Sequence, residues 1–119
     1  MFSFALEDTQ AGSGKAYAMS KLIIDTTDNA QTVIKLQIGE KIDEVKSTRR
    51  TKSQTTLLLI EEIIKKNDLK LSDLDEVEVN TGPGSFTGTR VGVAIANALG
   101  FGLDIKVNGS KSKQATPRY

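Results

Sequence analysis

Neither cysteine nor histidine occurs among the 119 residues of this chain. The first absence excludes disulfides and thiolate chemistry, and fits a reducing cytoplasm. The second removes the usual general base near neutral pH and the commonest metal ligand. Ser85 therefore has no imidazole that could activate it as a hydrolase nucleophile. A dominant charge is missing too: 16 lysine and arginine residues face 15 aspartate and glutamate residues, a formal net charge of +1. No global field then steers the chain to nucleic acid or to a membrane. No apolar run approaches the length of a membrane span. The opening Met1-Phe2-Ser3-Phe4-Ala5-Leu6 is too short for a signal-peptide core and runs straight into Glu7 and Asp8.

What is present is one small domain with a limited core. Residues 1–20 carry little periodicity and read as an extension or leader, with Met19 as an alternative first residue. Gly14-Lys15 does not complete a phosphate loop, because Thr9 stands where the first glycine belongs and Ala16 replaces the hydroxyl residue. The regular pattern covers residues 21–108, and residues 109–119 form a tail. Residues 21–25 are a short apolar strand, and residues 31–38 alternate as a strand with one mostly apolar face. Gly39-Glu40 turns the chain into a polar strand over 41–48 that suits a sheet edge. A helix over 55–66, a strand over 76–80, a helix over 86–101 and a strand over 105–107 follow. An antiparallel meander followed by helices and further strands predicts a mixed five-stranded sheet with two main helices, an α/β architecture.

The helices carry the strongest physical signal. At 100° per residue, Leu57, Leu59, Ile60, Ile63 and Ile64 share one broad arc, while Leu58 sits among Glu61, Glu62 and Lys65. The second helix has only Arg90 and Asn97 as clearly polar members, which predicts burial on all sides. Gly88, Gly92 and Ala96 recur every four residues, with Gly100 continuing the row, so one stripe allows another backbone close. A one-sheet domain of this size cannot cover two such helices, and an uncovered apolar patch marks an interface. The expected interface comprises Leu57, Leu58, Ile60, Glu61, Ile64, Gly88, Gly92, Ala96 and Leu99.

The most distinctive run is Asn80-Thr81-Gly82-Pro83-Gly84-Ser85-Phe86-Thr87-Gly88-Thr89-Arg90. It follows a strand-like alternation at Val77 and Val79. Its glycines permit positive φ and close approach, and Ser85 and Thr87 are both suited to cap the helix behind them. Leu22-Ile23-Ile24-Asp25-Thr26-Thr27 supplies a second turn at the end of the first strand. With the glycine-rich run, this segment resembles the TsaB (YeaZ) family, over roughly residues 21–108. The resemblance implies an actin-like ATPase (ribonuclease H-like) lobe and a non-catalytic partner of a TsaD-like enzyme that forms threonylcarbamoyladenosine in tRNA.

By the same resemblance, Asp25, Thr26, Thr27, Gly82, Gly84 and Ser85 are a vestigial anion-binding site, for in actin-like ATPases such turns approach nucleotide phosphates. Read from the residues alone, Asp25-Thr26-Thr27 is a strand-terminating turn, because Asp and Thr cap turns with their own side chains. Two departures matter. Members of the family usually carry a second lobe, and this chain ends after the first; Lys52-Ser53-Gln54 stands where His-Ser-Glu is common, with Ser53 left as N-cap. The resemblance thus implies no catalytic residue, no metal and no cofactor. It implies a TsaD-like partner, a TsaE-like ATPase as a further one, tRNA met only through the complex, and a homodimer when the chain is alone. The basic residues Lys46, Arg49, Arg50 and Lys52, and Lys111, Lys113 and Arg118, suit either solvated edges or phosphate contact within such a complex. The alternatives are the ATP-binding lobe of a sugar- or acetate-kinase-like enzyme, and a stand-alone homodimeric module.

Overall fold

The computed structural model describes residues 18–49, 51–110 and 115–116. Most of the leader (1–17), Arg50, and Lys111, Lys113 and Arg118 of the tail lie outside the described residues. Strand β1 (Ser20–Asp25) pairs antiparallel with β2 (Thr32–Ile38), setting Leu22 opposite Leu36 and Ile24 opposite Ile34. A turn at Gly39, whose φ of 60° suits glycine, leads into β3 (Lys41–Ser47), antiparallel to β2. Strand β4 (Glu76–Val79) runs parallel to β1, and the short β5 (Lys106–Val107) runs parallel to β4. The sheet order is β3-β2-β1-β4-β5. This is the mixed five-stranded sheet that the sequence predicts.

Strand periodicity places Leu22, Ile24, Ile34, Leu36, Val77, Val79 and Val107 on one face, all buried. Helix α1 (Lys52–Lys66) covers β2 and β3 there, and α2 (Phe86–Leu103) covers β4, β1 and β5. Ile63 of α1 is fully buried, a contribution of about 1.5–3 kcal/mol from apolar burial. The opposite face carries charged positions in register, with Lys35 opposite Glu44 and Lys21 bridging Glu78 at 3.6 Å. Its mixed charges keep it wet, so the core lies in a single layer between sheet and helices.

Two local expectations are corrected. Ser53 is not the N-cap of α1: Thr51 holds that position without a side-chain bond, and the helix starts at Lys52, three residues before the predicted start. The anchored side chain of Lys52, described below, draws the backbone into the helix early. Nor is α2 buried all round. One sheet covers one side of a helix, and Phe101 at the far side is 87% exposed.

Candidate functional site

Strand β1 ends in a turn that the chain builds from its own side chains. One carboxylate oxygen of Asp25, Oδ1, accepts from the Thr27 amide (3.0 Å) and the Thr27 hydroxyl (2.7 Å), and Oδ2 accepts from Asn80 Nδ2 (3.1 Å). Partial burial raises the pKa of Asp25, but the donors of Thr27 and Asn80, with the charge of Lys35, outweigh it and hold the group below its ordinary 3.8. Asp25 is thus ionised at neutral pH and satisfied within its own turn.

The glycine-rich segment lies directly on this turn. The Ser85 amide donates to the Thr27 carbonyl (2.8 Å), and the buried Thr26 hydroxyl donates to the Gly88 carbonyl. A Cβ added at Gly84 would lie 2.6 Å from Thr27 Cβ and 2.8 Å from Thr27 O; one at Gly88 would fall on the Thr26 carbonyl. These glycines are needed because two backbones touch. Gly82, at φ 105°, directs its amide to Asn80 Oδ1 (3.0 Å). Ser85 is the N-cap of α2, its Oγ accepting from the Gly88 amide (3.2 Å). The structure therefore brings all six residues of the expected anion site together. The Asp25 carboxylate, the Thr26 hydroxyl and the amides of Thr27, Gly82, Ser85 and Gly88 all have partners inside the junction.

Beside it opens a recess of about 510 Å³, with Asn29, Thr48, Lys52, Ser85 and Thr87 on its walls. Lys52 Nζ donates to the Asp28 carbonyl (2.6 Å), the Gln31 carbonyl (2.7 Å) and Thr32 Oγ1 (3.1 Å). Burial lowers its pKa, against the opposing charges of Asp28 and Asp25. All three ammonium protons are spent in fastening α1 to the β1–β2 connection. Lys46 and Arg49, from the same basic run, line a different recess with Leu58 and Glu62. Among the described residues, no group of three or more acidic side chains could hold a metal ion.

The outer helix faces divide the expected interface in two. Leu57 and Leu58 are 56% and 53% exposed, and Glu61 is exposed beside them. Ile60 and Ile64, by contrast, belong to the core, and Leu99 is half-buried against it. The stripe Gly88, Gly92 and Ala96 is also buried, against β1: a Cβ added at Gly92 would fall on the Thr26 hydroxyl, near Ile24. This corrects the reading in which the stripe admits a partner helix; the close backbone is the chain's own. The exposed side of α2 carries Phe86, Arg90, Ala94, Ala98 and Phe101, with the Arg90 guanidinium 5.2 Å from the Phe86 ring centre. Sequence reasoning missed Ala94 and Ala98. Arg90 is the signal that could have found them, because the one charge on an apolar helix marks its wet side and shares that side with Ala94 and Phe101 at helical spacing.

A family model described as "TsaD: tRNA N6-adenosine threonylcarbamoyltransferase" matches residues 17–116. The "tRNA threonylcarbamoyladenosine biosynthesis protein TsaB" of Haemophilus influenzae is 39% identical over 89 residues, 75% of this chain and 38% of that protein. The protein of the same name from Buchnera aphidicola is 31% identical over 84 residues, 71% of this chain and 38% of that one. Among solved structures, "YeaZ from Pseudomonas aeruginosa" superposes with a TM-score of 0.71 at 23% identity, covering 75% of this chain and 42% of that one. The fold is thus the actin-like, ribonuclease H-like α/β fold, and the chain spans about two fifths of the length of these relatives. With a family model matched over residues 17–116 and TsaB proteins among its relatives, the chain belongs to the TsaD family of tRNA N6-adenosine threonylcarbamoyltransferases and, within it, resembles the TsaB (YeaZ) members.

Proposed function

We propose that the chain serves in the formation of threonylcarbamoyladenosine in tRNA as a non-catalytic subunit that pairs with a TsaD-like enzyme. The observation that carries this reading is the outer helix layer. Leu57 and Leu58 of α1 and Phe86 and Phe101 of α2 are large apolar side chains left more than half exposed on two adjacent helices. Such a surface on a small domain suits a partner better than water. Ala94 and Ala98, exposed along α2 between Phe86 and Phe101, allow a facing helix close. The polar junction at the N-terminal end of α2 supports the non-catalytic part, since its carboxylate and hydroxyl groups are engaged within the junction and the chain holds no histidine to move a proton.

Gly88, Gly92, Ala96, Ile60 and Ile64 are left out of the proposed contact, which keeps Leu57, Leu58 and Glu61 and adds Ala94, Ala98 and Phe101. Contact with tRNA comes through the assembly, because the chain's own charge is nearly balanced. In the absence of the enzyme the same surface joins two copies of the chain, and a TsaE-like ATPase docks on the assembly rather than on this chain alone. The test is reconstitution with a TsaD-like enzyme, ATP, threonine, bicarbonate and tRNA. Modification should require the chain and should fail with Leu58→Asp; modification at full rate without the chain removes the proposal.

A further inference from the structure

Asn108 is the one asparagine of this chain that a glycine follows; Asn29, Asn67, Asn80 and Asn97 each precede a bulkier residue. The Asn-Gly pair has a geometric reason. After β5 the chain turns back: Asn108 (φ 52°) and Gly109 (φ 74°) both take left-handed geometry, and the Ser110 amide bonds to the Val107 carbonyl (2.9 Å). Two successive residues at positive φ favour asparagine followed by glycine. Both residues are exposed. A Cβ added at Gly109 would come no closer than 3.9 Å to Glu76 Oε2, its nearest described neighbour, so the residue is uncrowded. Among the described residues the Gly109 amide makes no hydrogen bond.

The same pair is chemically labile, because asparagine deamidates when the next backbone nitrogen reaches its side-chain carbon. Glycine hinders that approach least. The Gly109 nitrogen forms a bond to Asn108 Cγ, the Cγ–Nδ2 bond breaks, and Nδ2 leaves as ammonia with the proton of the Gly109 amide. Water then opens the cyclic imide at either of its carbonyls, leaving aspartate or isoaspartate at position 108.

The fold opposes this reaction with a clamp. Asn108 Oδ1 accepts from the Val79 amide (2.7 Å) and its Nδ2 donates to the Val79 carbonyl (3.1 Å), while its own amide bonds to the Val77 carbonyl (2.9 Å). The side-chain amide thus extends the β4–β5 pairing by one rung, and Cγ is not free to swing onto the Gly109 nitrogen. Val79 is the last residue of β4, and Asn80 behind it donates to Asp25 and accepts from the Gly82 amide. The clamp therefore also seats the start of the glycine-rich run.

We propose that Asn108 is a deamidation site gated by Val79: ring closure waits until β5 lets go of β4, and the product cannot restore the clamp. Aspartate sets a carboxylate oxygen against the Val79 carbonyl, where Nδ2 donated. Isoaspartate also routes the backbone through the side-chain carbon and lengthens it. Either product leaves the Val79 carbonyl without its donor, so a transient opening at the end of β4 becomes a lasting one.

The test is incubation of the full chain at mildly alkaline pH, folded and in urea, with peptide mapping by mass spectrometry that separates aspartate from isoaspartate. In both states Asn108 should react before the other asparagines. In the folded chain it should react about tenfold or more slowly than in urea, because the open form that admits the reaction is a minor population. In Asn108→Asp the Val79 amide should exchange with solvent faster than in the wild type, while the amides of β1 and β2 stay protected. An Asn108 that stays intact in the folded chain, reacts after another asparagine, or reacts as fast folded as in urea overturns the proposal. So does unchanged Val79 exchange in Asn108→Asp. If that variant does not fold, the ratio of folded to unfolded rates in the wild type still decides.

Discussion

Asp25 is held in its ionised form by Thr27 and Asn80, and this has a consequence for acid stability. Its pKa in the folded chain lies below the ordinary 3.8, so its stabilisation is complete above that value and fades as pH falls through the folded pKa. Asp25→Asn keeps one oxygen for the two Thr27 donors but sets an NH2 against Asn80 Nδ2 and removes the charge that strengthens all three bonds, and should lower stability by about 1–3 kcal/mol at neutral pH. The difference from the wild type should shrink below pH 3.8. Urea titrations at neutral and acid pH check this, and a difference that is unchanged by acidification contradicts it. Gly92 gives the complementary steric case. A side chain there meets the Thr26 hydroxyl and Ile24, so Gly92→Leu should cost about 1–3 kcal/mol or more through overpacking. The loss should appear as a lower unfolding midpoint, and not as loss of association in an intact fold.

Each helix divides its apolar residues between two tasks. On α1, Leu59, Ile60, Ile63 and Ile64 are buried while Leu57 and Leu58 are exposed, although helical periodicity sets only Leu58 apart from the rest. Substitutions should separate the tasks. Ile63→Ala removes a fully buried side chain and should cost about 2–5 kcal/mol of stability. Leu58→Asp should change stability by no more than about 0.5 kcal/mol, yet weaken association about tenfold or more, equivalent to about 1.4 kcal/mol. Thermal unfolding and sedimentation of the two variants distinguish these effects; an Asp at residue 58 that unfolds the chain would place Leu58 in the core. The helix periods were legible in the sequence, and so was the Ser85 cap, because capping and amphipathicity act within one or two turns. The early start of α1 was not legible, since it depends on Lys52 meeting carbonyls at residues 28 and 31.

For the molecule as a whole, a single sheet with both helices on one side leaves the far sides of those helices uncovered. The chain alone should therefore self-associate at micromolar concentration as a two-fold symmetric dimer in which each copy presents the same surface. Sedimentation that shows a stable monomer with little dye-accessible apolar surface would count against both the dimer and the proposed partner face. Calorimetric titration with Mg-ATP should detect no tight binding, because the junction that a nucleotide phosphate would approach is closed on itself through Thr26, Thr27, Ser85 and Gly88. Micromolar affinity would instead favour the kinase-lobe reading.

The linear sequence determined the element order, the antiparallel meander, the glycine-rich turn after β4 and the absence of imidazole and thiol chemistry, all of which depend on local periodicity or on residue type. It also showed that α2 carries a row of small residues. Only the tertiary structure decided where that row points. Gly88 and Gly92 face Thr26 across 62 and 66 positions of chain, and Asn97 faces Ala115 beyond β5. A stripe of small residues fits any close backbone equally well, and periodicity carries no information about whether that backbone is its own sheet or another molecule.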